Sequence, residues 1–217
     1  MAAVSETIVR EYFELQGFFV RQQRKTRTPL KGDDDDVDLF VINPHPQPSA
    51  VSLPFILNST DLENVSRAMV VIRAWHTETF SPSLLANTPE IFRNLGPATF
   101  QLATKAFGID GEVTKILVVP ALPAAHEARQ QSIEMLKAKG IDAIIPFRTI
   151  LSNLIAHIEV NRNYQKSDVL QVMRILKNYE FIKEPQLELF KILPRRPVGR
   201  PPKKNPVREL TPEPKID

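Results

Sequence analysis

Ala68-Met69-Val70-Val71-Ile72-Arg73-Ala74-Trp75 holds one charge in eight residues. An apolar run this continuous reads as a strand covered on both faces, and therefore central in its sheet. Upstream, Val37-Asp38-Leu39-Phe40-Val41-Ile42 is a short strand with Asp38 as its one charge, and Phe18-Phe19-Val20 opens another that runs into residues 21–27. Downstream, residues 115–120 (KILVVP) and 141–146 (IDAIIP) repeat the apolar pattern. Helical signals separate these strands. Ile8, Val9, Tyr12, Phe13 and Leu15 recur at helical spacing over residues 5–22, with Ser5 as the cap and Gly17 as the stop. A helical turn is expected at 61–67, and a broken helical region from Ser81 to Phe107. A helix at 124–139 ends at Gly140. Another, at 149–159, carries Leu151, Leu154, Ile155 and Ile158 on one face. The last, at 167–179, is capped by Ser167. Residues 29–36 read as a turn and an acidic run, and 43–54 as a proline-rich loop. The alternation predicts an α/β fold: a central mixed sheet flanked by helices on both faces.

Charge is divided unevenly along the 217 residues. Residues 1–190 hold 20 Lys+Arg against 22 Asp+Glu, whereas 191–217 hold 8 against 3. The expected organisation is therefore an α/β domain over 1–190 and a basic tail over 191–217, with a polyanion reached through the tail. The absence of cysteine excludes disulfides, thiolate metal sites and a cysteine nucleophile. No stretch approaches the roughly 20 apolar residues that span a bilayer, so no membrane partner is expected. The first residues, with Glu6 and Arg10, lack the apolar core of a signal peptide. There is no internal repeat. HExxH, Walker A, GxSxG and GxGxxG patterns are absent, which argues against zinc peptidases, P-loop NTPases, serine hydrolases and dinucleotide enzymes.

Within the tail, Arg195, Arg196, Arg200, Lys203 and Lys204 lie between Lys191 and Arg208 with no acid among them. Prolines at 194, 197, 201, 202 and 206 forbid a helix and favour an extended backbone, and Gly199 allows close approach at the centre. An extended, narrow, cationic segment suits the minor groove of A·T-rich DNA, which is narrow, strongly negative and attractive to arginine. Val198-Gly199-Arg200-Pro201 resembles the Arg-Gly-Arg-Pro core of the AT-hook. The match covers Gly199, Arg200, Pro201 and the trailing lysines; Val198 replaces the first core arginine, with Arg195 and Arg196 upstream. A basic tail or nuclear localisation signal is the plainer reading of such a run. Proline and charge also predict that 191–217 is disordered without DNA.

Asp38 on one short strand and the central strand at 70–75 resemble the PD-(D/E)XK, or restriction endonuclease-like, superfamily, over about residues 5–147. That resemblance implies Mg²⁺ held by an Asp on one strand and an acid on the next, with a lysine two positions on; the metal activates water for phosphodiester hydrolysis. Asp38 matches the first acid. Val71 stands at the second and Arg73 at the lysine, while Glu6 matches the acid of the N-terminal helix. Valine ligates no metal and arginine stays protonated. The expected site, Asp38, Arg73 and Glu6, is therefore a degenerate one, with no metal or cofactor. Arg73 then either pairs with Asp38 or Glu6 or contacts a phosphate. In the alternative, an active Mg²⁺ endonuclease, Asp35, Asp36 or Glu78 has taken over the missing ligand. Asp33–Asp36 otherwise read as a solvated acidic loop. In Trp75-His76-Thr77-Glu78, His76 and Glu78 are a weak catalytic or metal pair against the commoner structural histidine.

The function expected is DNA binding by a non-catalytic body with an A·T-preferring tail. It is set against the nuclease and against an interaction protein that dimerises through its apolar last helix, where Val169, Leu170, Val172, Met173, Ile175 and Leu176 cluster. The expected location is cytoplasm or nucleoid in a bacterium and the nucleus in a eukaryote.

Overall fold

The apolar runs pair into one five-stranded mixed sheet in the computed structural model, which describes residues 2–22, 38–47, 52–93, 95–96, 101, 104–105 and 113–182. β1 (Phe19–Gln22) pairs antiparallel with β2 (Leu39–Ile42), and β2 pairs antiparallel with β3 (Arg67–Ile72). β3, β4 (Thr114–Val119) and β5 (Ala143–Pro146) are parallel, so the order along the sheet is the order along the chain. Contacts divide the chain into Met1–Pro185 and Gln186–Asp217. The second unit lies wholly outside the described residues, as do the expected disorder of 191–217, the acidic run 33–36, and the continuation of β1 beyond Gln22.

Side chains alternate across a strand, and both faces of this sheet are apolar. Ala68, Val70 and Ile72 of β3, with Ile116 and Val118 of β4, turn to one face. There they meet Val9, Tyr12 and Phe13 of α1 (Ala2–Leu15), Phe147, Ile150 and Leu154 of α4 (Phe147–His157), and Leu170 of α5 (Asp168–Asn178). Met69, Val71, Leu117 and Val119 turn to the other. That side is closed by Leu85 of α2 (Pro82–Asn87), Ile91 of the 3₁₀ helix Pro89–Phe92, and Leu136 of α3 (His126–Ala138). The α/β expectation with helices on both faces therefore holds. Local signals act where they were read: Ser81 and Ser167 hydroxyls accept the Leu84 and Leu170 N–H groups at 3.3 Å each, and Gly140 takes φ +77° after α3.

One local expectation gives way to tertiary pairing. Ser5 does not cap α1; it lies inside the helix, buried, with its hydroxyl 3.0 Å from His76 Nε2. Beyond the proline-rich loop expected at 43–54, residues 55–57 pair with β5 just before the 3₁₀ helix Ser59–Asn64. Ile56 bridges Ile144 in parallel, the Leu57 N–H donates to Ile144 O at 2.9 Å, and the Ile144 N–H donates to Phe55 O at 2.7 Å. Those bonds cover the outer edge of β5, which would otherwise present unpaired backbone groups. The broken helical region is α2 followed by the 3₁₀ helix 89–92, with helical turns again at Gln101, Thr104 and Lys105; Phe107 lies outside the described residues.

Tyr12 ties α1 to the 3₁₀ helix 59–64: its hydroxyl lies 3.0 Å from Ser59 Oγ and its ring meets Phe13 edge-on. Burial pushes the phenol above its ordinary value and the Asp61 charge adds to this, while the Ser59 hydrogen bond pulls the other way. The folded state thus disfavours the phenolate. Its contribution to stability should be complete below the unfolded tyrosine value of about 10 and be lost as pH rises past it. Denaturant titrations across that range should show a shallower alkaline decline for Tyr12→Phe than for the wild type; parallel declines would refute the assignment.

Candidate functional site: the Asp38–Arg73 edge

Three parallel strands end at one edge of the sheet, and β2, running the other way, begins there. Leu39 pairs with Val70, so Asp38 stands one step beyond, level with Val71. Strand alternation then puts Asp38, Val71 and Arg73 on the face of Phe40 and Met69. The three positions singled out in the sequence are neighbours because of register, a long-range property.

Their chemistry is that of a closed structural clamp. Asp38 Oδ2 accepts the Ile72 N–H at 2.6 Å and lies 3.9 Å from Arg73 Nη1, with the two side chains 11% and 12% exposed. Arg73 Nε donates to Ile91 O at 3.1 Å, Nη1 to Ile72 O at 3.3 Å and Nη2 to Arg93 O at 2.5 Å. One guanidinium thereby holds the end of the 3₁₀ helix 89–92 onto the end of β3. Burial lowers the Arg73 pKa from its ordinary value, the Asp38 charge raises it, and Arg93 lowers it again. Val71 is fully buried among the apolar residues of that face, which include Phe80, Leu85 and Ile91. Of the two partners expected for Arg73, the structure places Asp38 beside it.

Glu6 is not part of this clamp. Its carboxylate accepts from Gln22 Nε2 at 2.9 Å, joining α1 to β1. His76 does not pair with Glu78; it meets the Ser5 hydroxyl and packs edge-on against Phe147 with ring centroids 4.5 Å apart. It docks the start of α1 against the start of α4, the structural role that is commoner for a lone histidine. Glu78 is exposed in the turn after β3, its N–H donating to Trp75 O at 2.8 Å. Among the described residues no three His, Asp or Glu side chains converge as a metal set. Asp35, Asp36 and the tail residues Arg195, Arg196, Gly199, Arg200, Pro201, Lys203 and Lys204 lie outside the described residues.

The donor set at the clamp does not fit the Mg²⁺ implied by the nuclease resemblance. Mg²⁺ wants several oxygen ligands in near-octahedral geometry. Here one carboxylate is already engaged by an N–H group and a guanidinium, and the second ligand position is a buried methyl surface. A crevice of about 570 Å³, not foreseen from the sequence, opens between Asn58 and Ser59 and the first turns of α4, where Arg148, Thr149 and Ser152 line it. Its lining includes no carboxylate or imidazole, so it has no acid–base pair. No described helix is long and apolar enough to cross a membrane. Comparison with known proteins returned no matching family, curated protein or solved structure.

Proposed function

We propose that the protein binds DNA without cutting it, through a restriction endonuclease-like body whose catalytic position has become a structural clamp and a tail that enters the minor groove of A·T-rich duplex. The DNA reading is carried by the acid-free basic run around Gly199-Arg200-Pro201. The non-cleaving part rests on Arg73: its guanidinium donates to the carbonyls of Ile72, Ile91 and Arg93 and faces Asp38, and among the described residues no second carboxylate joins Asp38 to position a metal and water.

The test is incubation of the full chain with supercoiled plasmid and short duplexes, with Mg²⁺ or Mn²⁺ added. The expected result is a retarded band, stronger on A·T-rich than on G·C-rich duplex, with the plasmid left supercoiled. Metal-dependent nicking that disappears in Asp38→Asn would reject the clamp reading and select the Mg²⁺ endonuclease. Failure to retard either duplex would reject DNA binding.

A further inference from the structure

We draw no further inference here: the strongest candidate, the crevice between Asn58 and Ser59 and the first turns of α4, rests on the N-terminus of one helix beside an exposed Arg148, and none of the polar side chains lining it is a buried, unpartnered group that would point to a ligand.

Discussion

Asp38→Ala should destabilise the fold by about 3 kcal/mol, because it strips the nearest opposite charge from a buried guanidinium and the acceptor from the Ile72 N–H in one step. The three carbonyls around Arg73 remain, which keeps the loss at the lower end for a broken buried pair. For a unit of this size that corresponds to a fall in Tm of roughly 6–12 °C. Asp38→Asn retains an acceptor for the N–H and should lose about half as much. The catalytic and structural readings of Asp38 separate here: a catalytic acid can usually be removed without cost to stability, whereas a clamp cannot. Melting of Asp38→Ala within about one degree of the wild type would sink the clamp. By the same reasoning Val71→Glu with Arg73→Lys, the change that would complete the nuclease-like pattern, should yield a less stable protein, since it buries a carboxylate among Phe40, Met69 and Phe80 and gives up the planar donor fork.

DNA affinity should fall several-hundredfold between about 50 and 200 mM salt. Five basic side chains around Gly199 predict a slope of log K against log salt of roughly −4 to −5, since each phosphate contact releases condensed counterions. Arg200→Ala should weaken binding to A·T-rich duplex by about tenfold or more and reduce the preference over G·C, because minor-groove readout distinguishes mainly those two classes. Lys203→Ala should lower the slope by about one while leaving the preference unchanged. Equal binding by Arg200→Ala, or equal affinity for the two duplexes, would leave a sequence-independent basic tail as the better account.

The parallel half of the fold was legible from apolar runs: β3, β4 and β5 form largely within residues 68–75, 115–120 and 141–146, because short runs rich in valine and isoleucine suit a sheet covered on both faces. Ser167 and Gly140 act as read because capping and a left-handed turn depend on the residue and its immediate neighbours. At the candidate site the residue types already carried a conclusion, since valine at 71 has no atom to offer a metal whatever surrounds it.

What the sequence by itself determined is the set of elements, their apolar content, and the concentration of positive charge after residue 190. Only the tertiary structure decided which polar groups distant in sequence become partners. Arg73 is claimed by carbonyls 18 and 20 residues away as well as by Asp38, and Ser5 meets a histidine 71 residues distant. The bridge at residues 55–57 covers an edge of β5, and α5 turns its cations inward because carbonyls at the end of α4 lie beneath it. Periodicity records which side chains avoid water; a buried donor takes whichever acceptor the packed chain brings within reach, and that pairing is written in no local stretch of sequence.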